Sequence, residues 1–237
     1  MTETLRGRDI ILAGGTGGLG SATAALLAPE GANLILSYHA NHERAGRVGR
    51  SLRVVQADLA SEDDRSALLD TASELYGLVI LTGDPARGPN LAETLPRSFE
   101  VNFEGPVLLA REAADRMKAR GTPGAIVFLG TMQAAGLFPN STAYAAQKAA
   151  LVHAARVLAK ELRGPANIRV NVVNPGVTEA GMAQASVASG KYERHLQQGV
   201  IPRYGKAEDI ARAIRFLLEP DNYVTGQVLT VDGGLTL

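Results

Sequence analysis

This sequence predicts an α/β chain, folded as a single doubly wound domain with a seven-stranded parallel sheet and helices on both faces. Short β-branched or leucine-rich runs recur along it, and helical patterns fill the stretches between them. No Pro/Ser-rich linker, repeat or low-complexity tract divides residues 1–237, a length ample for one large core. Hydrophobic residues make up 46% and charged residues 20%, as in ordinary globular proteins. The 24 lysines and arginines balance 24 acids, so no net field draws nucleic acid or an anionic membrane. The absence of cysteine removes disulfides, thiolate metal sites and cysteine nucleophiles together.

In chain order, strands are expected at 9–13, 33–37, 53–56, 78–82, 125–129, 169–173 and 228–231. Their apolar residues run on without alternation, which suits strands covered on both faces. Helices are expected at 19–27, 63–76, 98–119, 143–162 and 207–218, the second with a capping-type start of Ser61 followed by Asp64. Residues 178–200 lack a strand pattern and contain Gly181, Gly190 and Gly199. They read either as a flap over a site near the strand ends or as a plain surface excursion. The N-terminus is polar, and its first apolar run (10–13) is too short for a signal core or a membrane span, so the cytoplasm is the default location.

The first strand leads into Ala13-Gly14-Gly15-Thr16-Gly17-Gly18-Leu19-Gly20 and then a helix of small residues. Glycines let the backbone turn tightly and approach a pyrophosphate, and the helix N-terminus offers N–H groups to its charge. Gly15, Gly17 and Gly20 fit GxGxxG; Gly14, Gly18 and Gly20 fit GxxxGxG. Between a strand and a helix, either reading points to a dinucleotide in a Rossmann-type fold. An acid ending the second strand would bind ribose hydroxyls and repel a 2′-phosphate. Here that strand ends Ser37-Tyr38-His39, with Arg44, Arg47 and Arg50 beyond, which favours NADP(H) without excluding NAD(H). The arginines read equally as a solvated helix face. Asp58, before Leu59, could accept a hydrogen bond from an adenine amino group or serve only as a turn residue.

Tyr144 and Lys148 stand four apart in an expected helix and so share one face. A phenol ionises near pH 10, and lowering that by about three units takes about 4 kcal/mol of preferential phenolate stabilisation. A nearby ammonium and an oxidised nicotinamide ring are the charges that could provide it.

From Thr131 to Lys148 the chain reads TMQAAGLFPNSTAYAAQK. With the glycine turn, this resembles the short-chain dehydrogenase/reductase family over nearly the whole chain. Its last third is most similar to 3-oxoacyl-acyl-carrier-protein reductases. The resemblance implies a cofactor turn at Gly14, Thr16, Gly17, Gly18, Leu19 and Gly20, an adenosine pocket around Tyr38, His39, Asp58, Leu59, Thr82 and Gly83, and catalytic roles for Asn102, Thr131, Tyr144 and Lys148. Pro175-Gly176, followed by Val177 and Thr178, matches the turn beside the nicotinamide. Thr225-Gly226-Gln227 and Val231-Asp232-Gly233-Gly234 match the family's C-terminal signature. The implied reaction is hydride transfer between NADP(H) and a ketone or secondary alcohol, most simply reduction of a 3-oxoacyl or polyketide-like carbonyl. Tyr144 would act as acid or base, Lys148 would lower its pKa and bond the nicotinamide ribose, Thr131 would polarise the carbonyl, and Asn102 would support a relay water.

Three departures stand out. Thr131 replaces the family's serine and adds a methyl to the site. Ile80-Leu81-Thr82-Gly83 replaces its NNAG, and Ala180 replaces a threonine after the proline-glycine turn, where Thr178 could substitute. Enoyl reductases of this fold place their lysine seven residues after the tyrosine, and position 151 is Leu. An NAD-dependent secondary-alcohol dehydrogenase and a catalytically silent cofactor-binding sensor or scaffold are the alternatives. No metal is expected: His39 and His42 have no further ligand beside them. His153 reads as a packing or interface residue, and Tyr192 and His195 as possible substrate contacts. Small residues along the 143–162 helix permit close helix approach, and the resemblance implies a homotetramer or homodimer. The expected partner is a small-molecule or carrier-bound carbonyl substrate.

Overall fold

The computed structural model describes residues 4–50 and 52–237. The first three residues of the polar N-terminus lie outside it. Seven strands form one all-parallel sheet: β1 (Asp9–Ala13), β2 (Asn33–Tyr38), β3 (Arg53–Gln56), β4 (Leu75–Ile80), β5 (Gly124–Leu129), β6 (Ile168–Pro175) and β7 (Val228–Val231), in spatial order β3-β2-β1-β4-β5-β6-β7. The strand order reverses between β1 and β4, and Ala13 lies opposite Ile80 there. Crevices at such a reversal, outside the carboxyl ends of the strands, are where α/β sheets bind ligands.

Successive side chains leave a strand on opposite faces, so two cores form. Ile11, Leu78, Ile126, Phe128 and Val170 pack beneath α3 (Glu62–Leu69), α5 (Gly105–Arg120) and α6 (Thr142–Leu162). Ile10, Leu12, Val79, Val127 and Val173 pack beneath α1 (Gly18–Leu27) and α9 (Ala207–Leu218). Both faces are covered, so β1, β4, β5 and β6 are buried along their whole length, and β4 and β5 are composed of apolar residues, tyrosine and glycine throughout. A short α2 (His42–Val48) follows β2, capped by Asn41, which accepts from the Arg44 N–H.

Two expected helices are corrected. The 63–76 helix ends at Leu69, and β4 begins at Leu75 rather than 78. Asp9 takes over the chain there: its carboxylate accepts from the N–H groups of Ser73 and Glu74 and from the Ser73 hydroxyl, turning the backbone into the sheet. The expected start holds, since the Ser61 hydroxyl accepts from the Asp64 N–H at 3.2 Å. The 98–119 helix is three pieces: α4 (Leu91–Phe99), a π-helical segment (Glu100–Glu104) and α5. Pro106 has no N–H for the Asn102 carbonyl, so ordinary i to i−4 bonding cannot run through, and the Gly105 N–H donates instead to Glu100. Residues 178–200 contain two one-turn helices, α7 (Gln184–Ala188) and α8 (Glu193–Gln197).

Candidate active site

The glycine turn is set by close packing. Gly14 has φ +77°, and its N–H donates to the Ser37 hydroxyl at 3.0 Å, tying the turn to β2. A Cβ on Gly20 would lie 2.4 Å from the Gly15 carbonyl oxygen, and one on Gly15 would lie 2.6 Å from that of Leu12. These glycines let the backbone fold flat across the ends of β1 and β2.

A groove of about 600 Å³ runs over that turn. Gly14, Thr16, Gly17, Gly18, Leu19 and Gly20 form one wall. Tyr38, His39, Asp58 and Leu59 form the far end, and Thr82 and Gly83 form the floor after β4. Gly14 and Gly83, 69 positions apart in sequence, thus meet along the strand ends. The Thr82 hydroxyl is buried in this wall with no hydrogen-bond partner among the described residues. A groove with close-approach glycines, a helix N-terminus and an unpaired hydroxyl fits a dinucleotide.

At the far end, burial pushes the Asp58 carboxyl up, but the Ala60 N–H and the Arg97 guanidinium outweigh it and hold the group below its usual value. Arg97 donates to Asp58 at 2.8 Å and to Glu100 at 3.0 Å, and it also lines the groove. His39 lies 3.5 Å from the same carboxylate, whereas His42 meets the Tyr38 hydroxyl. Of the arginines after β2, Arg44 lines the groove, while Arg47 pairs with Glu43 along the exposed side of α2. No sequence spacing signals the pairing of Arg97 with Asp58.

A second cleft of about 570 Å³ adjoins the first, and Leu19, Leu129 and Met182 border both. Thr131, Tyr144, Pro175, Gly176, Val177 and Thr178 line it, together with Gln133. The 178–200 segment supplies Met182, Ser186 and Tyr192 to its wall. His195 stands behind, its ring 6.1 Å from that of Tyr192. His153 is exposed on α6.

Tyr144 and Lys148 project from the first turns of α6. Burial pushes the Tyr144 phenol up to about 12, opposed by its hydrogen bond with Thr131. Burial likewise pulls the fully enclosed Lys148 down to about 7. Its Nζ donates to the carbonyls of Leu129 (2.9 Å) and Thr82 (3.1 Å), at the ends of β5 and β4. Among the described residues no hydrogen bond joins Lys148 to Tyr144. In the protein by itself desolvation dominates, raising the phenol and lowering the amine, so acidifying the phenol takes the oxidised nicotinamide ring as well as the amine.

Asn102 is fully buried on the π segment. Its Oδ1 accepts from the Asp84 N–H, and its Nδ2 donates to the Asp84 carbonyl and to Gln147 Oε1, each at 2.8 Å. The amide thus clamps the chain after β4 rather than reaching Tyr144. A methyl built on Gly83 would lie 3.6 Å from Asn102 Oδ1 and 3.8 Å from Lys148 Nζ, so the two side chains flank that glycine. Gln147, missed in the sequence, links this clamp to α6 and onward to the Ser98 hydroxyl at 2.9 Å. Leu151 is buried in the apolar core.

A family model described as enoyl-(acyl carrier protein) reductase matches residues 13–236. A short-chain type dehydrogenase/reductase of Picea abies is 32% identical, covering 97% of this chain and 93% of its own. NADPH-dependent aldehyde reductase 2, chloroplastic, of Arabidopsis thaliana is 31% identical over 98% of this chain and 95% of its own. Among solved structures, a 7α-hydroxysteroid dehydrogenase complexed with NADH and 7-oxo glycochenodeoxycholic acid is similar at TM-score 0.88 and 31% identity, covering 98% of this chain and 95% of that one.

Proposed function

The chain belongs to the short-chain dehydrogenase/reductase family, oxidoreductases acting on alcohol and carbonyl groups, and we propose that it reduces a ketone or aldehyde carbonyl with NADPH. The observation that carries the reading is that Thr131 and Tyr144 line one cleft, which opens onto the glycine-lined groove. The residues of the groove would hold the dinucleotide, whose nicotinamide supplies the hydride.

The protein's part is to bind, orient and move a proton. Tyr144, neutral at pH 7, donates its hydroxyl proton to the carbonyl oxygen, and the Thr131 hydroxyl hydrogen-bonds the same oxygen. Thr131 is suited to donate, because its oxygen already accepts from the Gln133 N–H at 3.3 Å. Lys148, fixed between two strand-end carbonyls, would hold the nicotinamide ribose. Asn102 and Gln147 hold the floor of the groove around Gly83. The 178–200 segment acts as the flap, with Met182 at the junction of the two cavities.

NADP(H) is favoured because no acid ends β2, Arg44 faces the groove and Arg97 neutralises Asp58. The NADH-bound relative keeps NAD-dependent alcohol oxidation as the second reading. At the mouth of the cleft, Arg87 and Lys191 stand without an acid in its lining, which suits a 3-oxoacyl, polyketide-like or other carbonyl substrate with an anionic tail. Exposed Phe99, Leu108 and Val157 on α4, α5 and α6 suit a homodimeric or homotetrameric contact, to be checked by sedimentation. Purified protein mixed with NADPH or NADH and a panel of carbonyl compounds tests the activity. Cofactor oxidation matched by alcohol formation is expected, whereas binding without oxidation would indicate the silent sensor.

A further inference from the structure

The substrate cleft contains a polar atom that the reaction does not use. Gln133 Oε1 is buried and has no hydrogen-bond partner among the described residues, yet its residue lines the same cleft as Thr131 and Tyr144. Its backbone is held close to the reacting groups, since its N–H donates to the Thr131 hydroxyl at 3.3 Å. A buried acceptor without a donor is unfavourable by about 1–3 kcal/mol, and in a cleft a ligand can supply the missing donor. The Thr82 hydroxyl is equally unpaired but belongs to the dinucleotide groove. The two atoms therefore call for different molecules.

We propose that Gln133 is a specificity-determining residue that accepts a hydrogen bond from a hydroxyl carried near the reacting carbonyl, so the preferred substrates are hydroxyketones or hydroxyaldehydes rather than unsubstituted carbonyl compounds. A hydroxyl suits a terminal amide, because it donates to Oε1 and can also accept from Nε2. The rest of the cleft agrees in character. Asn140, Ser141 and Ser186 add polar groups to its lining, while no carboxylate competes for the substrate's hydroxyl. Sites built to bond a substrate hydroxyl discriminate strongly against analogues lacking it, because the protein's polar group is then left unpaired.

This inference rests on the carbonyl-reductase reading, and its test separates the two. The holoenzyme is assayed for NADPH oxidation with matched pairs, such as 2-hydroxycyclohexanone against cyclohexanone and 1-hydroxy-2-butanone against 2-butanone. A kcat/KM ratio of about tenfold or more toward the hydroxylated member is expected. In Gln133→Leu the ratio falls to about one, and in Gln133→Glu, which keeps an acceptor oxygen, a clear preference remains. Reduction of both members with equal kcat/KM by the unmodified protein overturns the role of Gln133 and leaves the reductase reading standing. Failure to reduce any carbonyl compound overturns both. Should Gln133→Leu not fold, oxidation of cyclohexane-1,2-diol against cyclohexanol by the unmodified protein with NADP⁺ decides, with equal rates overturning the proposal.

Discussion

Asn102 donates through Nδ2 to Gln147 Oε1 at 2.8 Å, joining the π segment to the helix that presents Tyr144 and Lys148. Replacing Gln147 by Leu leaves one Nδ2 hydrogen of a fully buried amide without an acceptor. A loss of about 1–3 kcal/mol in stability is expected. Urea unfolding of Gln147→Leu measures it, and an unchanged midpoint would show that the amide readjusts without cost.

Tyr144→Phe removes the proton donor and almost no volume. NADPH affinity should stay within about threefold, while kcat falls by a factor on the order of 10²–10⁴. Fluorescence titration and steady-state assay give the two numbers. Turnover at the unmodified rate would take Tyr144 out of the reaction.

Lys148 makes stability depend on pH in a defined direction. Unfolded, its amine titrates at 10.5; folded, burial lowers this to about 7. Between those values the unfolded chain binds more protons, so stability rises with pH, by at most about 1.4 kcal/mol per pH unit. Tyr144 acts oppositely above pH 10, because its folded phenol keeps its proton up to about 12. Urea midpoints of the cofactor-free protein should climb from pH 7 to 9, and Lys148→Met should flatten that climb. A falling midpoint in the unmodified protein would contradict a buried amine.

Arg44 tests the choice of dinucleotide. It lines the groove beside His39, where a 2′-phosphate would extend. Arg44→Ala should weaken NADPH about tenfold and leave NADH within about twofold, measured as dissociation constants at fixed ionic strength. Equal effects on both would assign Arg44 to the shared part of the molecule or to none of it.

Asp209 tests the stability of α9. Its carboxylate accepts from the Lys206 N–H at 2.8 Å and from Arg203 at 2.6 and 3.0 Å, and the Arg203 bond leads the causes that hold its pKa well below the usual range. A depressed folded pKa gives stability that is full above the unfolded value of 3.8 and lost as pH falls below it. Asp209→Ala should cost about 1–2 kcal/mol at pH 7, and the difference should shrink steadily as the pH falls below 3.8. A difference that persists in acid would point to packing rather than charge.

Much of the site was legible before any coordinates. The glycine turn, Asp58, Tyr144, Lys148 and the proline-glycine turn are short local patterns, and each lies where a strand or helix begins or ends. Arg97, Gln133 and Gln147 were not legible. Arg97 gains meaning only from a partner 39 positions away, and Gln147 from one 45 positions away. Gln133 sits inside the TMQAAG run, yet nothing there marks its side-chain oxygen as unpaired.

The sequence by itself determined the parallel α/β architecture and the helix turn shared by Tyr144 and Lys148, because periodicity and four-residue spacing are properties of a local chain. It could not place the end of the third helix at Leu69, where a carboxylate 64 residues upstream captures the backbone of Ser73. Nor could it set the protonation of the reacting pair. Spacing brings an amine near a phenol, but whether the two share a charge depends on desolvation and on which oxygens reach the ammonium first, and in the folded molecule those are the carbonyls of Thr82 and Leu129.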